Sequence, residues 1–163
     1  MARLALSGLL ILVGLTAYAC GDNNTTAPLQ QTFTATLNGA SEVPAKNVPG
    51  TGTATFTRSG STMTFTLSVA NMTNVTAAHI HAPAPPGQNA NVLVPLFAAN
   101  PPVTIGATAQ TLATGTIPSS ANQIAGGLSL DSLVALMRNG QAYVNVHTSA
   151  NLAGEIRGQI QAQ

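Results

Sequence analysis

The sequence predicts an all-β protein: an antiparallel sandwich of many short strands with one short helix. Three observations lead there. Threonine alternates with apolar residues in segment after segment, as in Thr62–Val69, where Met63, Phe65, Leu67 and Val69 fall on one side and Thr62, Thr64, Thr66 and Ser68 on the other. Gly, Pro and Asn punctuate these segments at short intervals. Only one segment, Ser129–Asn139, changes to helical spacing. Period-two alternation sends successive side chains to opposite faces of a strand, and repeated short strands with turn residues between them make sheets that pack face to face.

Taken in order, Thr32–Asn38 places Phe33, Ala35 and Leu37 on one face and reads as a half-buried strand. Gly39–Gly50, with two Pro and two Gly, is a loop. Thr51–Thr57 turns Ala54 and Phe56 inward, and Arg58–Ser61 turns the chain into Thr62–Val69. Asn71–Asn74 is the next turn, followed by a strand over Val75–His81 that Pro83–Pro86 ends. Asn91–Phe97 is an edge strand, because Pro95 cannot donate to a central ladder, and Asn100-Pro101-Pro102 is expected to break it. Gln110–Ile117 follows. In Ser129–Asn139, Leu130, Leu133, Val134 and Met137 share a helix face, Ser129 or Asp131 can cap the start and Gly140 can end it.

The last two strands come from Tyr143–Ile160, around which the chain is organised. Val144, Val146, Ile156 and Ile160 belong to a core; Tyr143, Asn145, His147, Glu155, Arg157 and Gln159 face the other way. Antiparallel pairing that keeps the core faces together allows His147 opposite Glu155 and Asn145 opposite Arg157, and also a slip of two residues. So many functional groups on one face are unusual in a chain with 6% charged residues.

The chain of 163 residues is long enough for one ordinary domain, and the core must be built from Val, Leu, Ile, Ala and a few Phe, since aromatics are 4% and Trp is absent. Arg3, the apolar run Leu4–Leu15 and the small residues before Cys20 predict a signal peptide over residues 1–19. The run is too short to span a bilayer comfortably. Cys20, directly after Ala19, resembles the cysteine of a bacterial lipobox, although Ala17 stands where Leu is usual. The expected mature protein is anchored by lipid on Cys20, followed by a polar tether over 20–31 and one domain over 32–163, in a bacterial cell envelope. Ordinary cleavage after Ala19, leaving a free thiol, is the alternative. A single cysteine cannot form an internal disulfide. Loss of Arg3 leaves four basic against four acidic residues, so no basic stripe offers itself to nucleic acid.

The motifs YVNVHT and GEIRGQI, with AHIHAPAPPGQNANVLVPL upstream, resemble the CHRD domain over about Phe33–Ile160. That resemblance implies an immunoglobulin-like all-β fold and little settled biochemistry. The chemistry is therefore sought in the residues. His79 and His81 are out of phase with Ala78 and Ile80, so both leave the core on the same side; His147 does so on its own strand. Two imidazoles at i and i+2 lie about 7 Å apart along a strand and can converge on one ion; three imidazoles suit copper, zinc, nickel or iron by ligand type, and copper or zinc is the expected cofactor. The His-x-His pair is similar to the copper arm of Cu/Zn superoxide dismutases, which share a β-sandwich. No counterpart of their bridging histidine, zinc loop or paired cysteines is present. Glu155 is a fourth ligand or a group that orients an imidazole.

The plain alternative is that these histidines are polar surface, that Glu155 and Arg157 form an ordinary salt bridge, and that Tyr143, Asn145 and Met137 serve packing. No nucleophile motif, paired carboxylates or phosphate loop is legible. Three readings follow: a non-enzymatic binding module holding a metal ion, a metal-free module contacting an envelope or matrix protein through its neutral Thr/Asn-rich sheet, and, with least support, a copper redox enzyme.

Overall fold

The computed structural model describes residues 30–117 and 124–163. The expected signal peptide, Cys20 and all but the last two residues of the expected tether lie outside the described residues. Within them the elements run β1 (Gln31–Asn38), β2 (Thr51–Ser59), β3 (Thr62–Ala70), β4 (Met72–His81), β5 (Val92–Ile105), β6 (Gln110–Ile117), α1 (Leu130–Arg138), β7 (Tyr143–Thr148), β8 (Ile156–Gln159) and β9 (Gln161–Ala162). No helix among the described residues is long and apolar enough to cross a membrane.

The strands form one antiparallel sheet in the order β5-β4-β7-β8-β1-β2-β3-β6, with β9 added to β1. The end strands β5 and β6 approach each other, so the sheet curls into a nearly closed, sandwich-like body. Its inside is the apolar set that the alternation selects: Phe33, Leu37, Phe56, Met63, Leu67, Val69, Ile80, Val144, Val146 and Ile156 are all buried. α1 lays Leu130, Leu133, Val134 and Met137 onto this core. Ser129 caps it, its hydroxyl accepting from the Ser132 amide at 3.1 Å, and Gly140, at φ 63°, ends it. Asp131 in the first turn pairs instead with Arg58 of β2.

Two boundaries differ from the sequence expectation. The turn expected over Asn71–Asn74 is a break at Asn71 followed by a bulge; β4 starts at Met72, and Asn71 and Asn74 both take φ 54°. Asn tolerates this left-handed conformation better than most residues. The break expected at Asn100-Pro101-Pro102 does not occur, and β5 runs through it to Ile105. β5 pairs with β4 alone, so its prolines face no second ladder and cost no hydrogen bond there.

The register between β7 and β8 is the one that sets Asn145 opposite Arg157 and Tyr143 opposite Gln159. On its other side β7 pairs with β4, with His79 opposite Asn145, His81 opposite Tyr143 and Ala77 opposite His147. Gly158 lets β8 press close to β1, since a Cβ there would run into the Thr36 carbonyl. These three strands carry the site.

Candidate metal centre

The side of β4, β7 and β8 that faces away from the core was expected to be an open surface. It is covered. Every residue of β7 is buried, on both faces. His81 is 7% exposed, His147 9%, Asn145 2% and Arg157 2%, while His79 is half-buried. The cover comes from the loop after β4, residues 82–91, and from the loop joining β7 to β8, residues 149–155. Both are held down by the polar residues they cover. Arg157 donates to the Gln88 carbonyl at 2.7 Å and to Asn89 Oδ1 at 3.0 Å; Gln159 Nε2 donates to the carbonyls of Ala84 and Gly140. Asn89 donates on to the Val43 carbonyl, and the Tyr143 hydroxyl accepts from the Ala90 amide.

Within this layer the three imidazoles meet. His79 Nδ1 lies 3.0 Å from His147 Nε2, a diagonal contact between neighbouring strands. One ring nitrogen from each of His79, His81 and His147 falls within 4.8 Å of the others. The remaining nitrogens of two rings are anchored to main chain: His81 Nδ1 donates to the Ala90 carbonyl at 2.9 Å and His147 Nδ1 to the Leu152 carbonyl at 2.9 Å. Each anchor fixes the tautomer and leaves a lone pair on Nε2, the state a metal requires. His81 Nε2 faces Asn145 Oδ1 at 2.9 Å. A lone pair facing a carbonyl oxygen is repulsive, and is relieved by a half-turn of the carboxamide or by a cation drawn to Nε2.

Burial holds the imidazoles neutral. The pKa of His79 is lowered to about 4, first by desolvation and then by the nearby His147 and His81. His81 is lowered by burial against the opposing pull of the Ala90 carbonyl and of Asn145 Oδ1, which favour the protonated ring, and His147 by burial against its bond to Leu152. Neutral, desolvated imidazoles can accept an ion without first losing a proton. Ligand nitrogens bonded at about 2.0–2.1 Å stand roughly 3.3 Å apart on a tetrahedral ion. The observed separations, from 3.0 Å to at most 4.8 Å, bracket that value and need only small ring rotations.

Glu155 does not join the histidines, contrary to expectation. Its Oε2 accepts from the Thr148 hydroxyl at 2.6 Å and from Asn151 Nδ2 at 3.0 Å. Those donors stand in the β7–β8 loop and at the strand end, so the carboxylate braces the loop. Nor do Glu155 and Arg157 pair; the ion pair found among the described residues is Arg58–Asp131. Met137 is core, fully buried. Tyr143 and Asn145 are part of the site by contact: Tyr143 stacks on His81 with ring centroids 4.8 Å apart.

Sequence reasoning missed Glu42. It is 6% exposed, its carboxyl is pushed up by burial against the pull of Arg157, and its Oε1 has no hydrogen-bond partner. Gly154, at φ 129°, lets it in, because a Cβ there would collide with that oxygen and with Asn145 Nδ2. The sequence signal was faint: an acid in a Gly/Pro loop.

An antiparallel sheet carrying a covered histidine cluster defines a class of small β domains, and comparison with known families makes it specific. The CHRD domain model matches residues 33–160. The chain belongs to the CHRD domain family. Comparison with curated proteins and with solved structures finds no match.

Proposed function

We propose that this CHRD domain is a non-enzymatic binding module that holds one transition-metal ion, copper or zinc, through His79, His81 and His147. The observation that carries this reading is the meeting of three neutral imidazoles, one ring nitrogen of each within 4.8 Å of the others. Among the described residues no paired carboxylates stand beside them, which favours retention over turnover. The sequence adds the setting: a leader ending at Cys20 supports a lipid-anchored protein of a bacterial envelope, where metal ions are captured from outside.

Metal analysis of untagged protein purified after loading tests the proposal. One equivalent of copper or zinc is expected, with binding reduced at least tenfold in His81→Ala and in His147→Ala. Protein that cannot be loaded would overturn it. The metal-free alternative, a module that docks an envelope or matrix protein, would then gain from a different feature: an open groove of about 370 Å³ lined by Thr36, Asn38, Thr51, Thr53 and Ser68 on β1–β3. Replacement of Cys20 by Ser should release the protein from the membrane fraction; unchanged fractionation would remove the anchor from the proposal.

A further inference from the structure

The His81 imidazole is the inner member of a stack. The Tyr143 ring lies parallel to it, the planes 1° apart. The Arg157 guanidinium carbon lies 3.4 Å from the centroid of the same Tyr143 ring. Since β4 and β8 flank β7 on opposite sides, His81 and Arg157 take opposite faces of the phenol. Arg157 is 2% exposed, and the partners of its N–H groups, the Gln88 carbonyl and Asn89 Oδ1, are both neutral. Among the described residues no carboxylate is in contact with this buried cation. Glu42 is the acid whose field reaches it, from beyond contact distance, and burial pushes that carboxyl up.

The surroundings of the three donor nitrogens are neutral as well. The acid nearest in sequence, Glu155, is committed to Thr148 and Asn151. The groups behind His81 and His147 are main-chain carbonyls, where many metal sites place carboxylates. No carboxylate among the described residues joins the three donor nitrogens, and an ion here sits among desolvated groups in the field of a buried guanidinium. Each added unit of charge on the ion raises the electrostatic cost. We infer that the site selects by charge, holding monovalent copper through three neutral nitrogens and disfavouring divalent copper and zinc. Three-coordination satisfies copper(I), whereas a divalent ion needs a further, preferably anionic, ligand. The inference rests on the metal-binding reading and names its ion.

Anaerobic titrations of untagged protein decide it. Copper(I) is measured in competition with bicinchoninate, and copper(II) and zinc(II) in competition with a pyridylazo chelator. One equivalent of copper(I) is expected, with a Kd at least about a hundredfold below that for copper(II). Arg157→Gln should narrow this ratio by about tenfold, and Arg157→Lys should restore it. If copper(II) or zinc(II) binds as tightly as copper(I), or a folded Arg157→Gln protein keeps the wild-type ratio, the charge selection is overturned and the metal site stands. If none of the three ions binds, both fall. Should Arg157→Gln fail to fold, the wild-type ratio alone decides.

Discussion

Two halves of one sheet follow the same alternation and come out differently. In β2 and β3 the outward residues are mostly exposed threonines, and the pattern of buried and exposed positions is close to strict. In β7 every position is buried, although the inward residues there are just as regular. The difference is what lies on top. Among the described residues the outward threonines of β2 and β3 hydrogen-bond only within their own hairpin, whereas the outward groups of β4, β7 and β8 bind the 82–91 and 149–155 loops and draw them over themselves. A polar strand face that recruits main-chain carbonyls becomes an interior. Its imidazoles then lose water, stay neutral and are held in place, while a threonine at the equivalent outward position does nothing comparable.

The strongest way to break this contrast is to remove the residue that holds the cover. Arg157→Ala deletes the donors to Gln88 and Asn89 and leaves their acceptors under the loop, so it should destabilise the protein by about 3 kcal/mol in chemical denaturation. Amides of β7 should lose hydrogen-exchange protection before those of β2. A change below about 0.5 kcal/mol would mean that the loop closes without Arg157.

Acid should separate the halves next. Unfolded imidazoles take up protons near their ordinary 6.5, whereas folded His79 does so only at about 4, and folded His81 and His147 below their ordinary value. Between those limits the unfolded chain binds more protons. The stability of the metal-free protein is therefore full above about pH 6.5, falls as pH drops toward about 4, and levels off beyond, a loss on the order of 2 kcal/mol once solvent screening at the half-buried His79 is taken into account. Glu42, raised by burial, protonates more readily in the folded state and offsets part of it. A stability curve flat from pH 7 to pH 4.5 would contradict the neutral, buried state of the imidazoles. Replacing His79 by Gln should flatten it in part.

Glu155→Gln sharpens the position of that carboxylate. Glutamine can still accept from Thr148, but loses the charge-assisted strength of the bond, so a loss of about 1 kcal/mol is expected, with metal affinity unchanged within about threefold. A loss of binding as large as that of His147→Ala would return Glu155 to the ligand set. Smallest of all, Thr66→Ala, on the uncovered face of β3, should shift stability by no more than about 0.5 kcal/mol.

The part of this molecule legible in the sequence is the part encoded locally. The alternation in Thr62–Val69, the helix with Ser129 at its start and Gly140 past its end, and the parity of His79, His81 and His147 each depend on near neighbours, and the structure reproduces them. The β7–β8 register was narrowed to two choices by the face rule, and one of them is present. What stayed hidden depends on contacts remote in sequence. Nothing in Pro83–Asn91 announces that it folds back onto Arg157, and nothing in Glu42 that it reaches Gly154. Pro95 already marked this strand as an edge, yet Asn100–Pro102 still looked like a stop; at an edge the proline run faces no second ladder, and β5 continues through it. The facing of Glu155 was read as if strand parity extended into the loop; one residue before β8 begins, it no longer holds.

The most direct measurement is X-ray absorption at the metal edge of loaded, untagged protein at neutral pH. Three histidine nitrogens at about 2.0 Å, showing imidazole multiple scattering and no carboxylate oxygen shell, are expected. Fewer than three imidazoles, or a bound carboxylate, would contradict a centre built from His79, His81 and His147 alone.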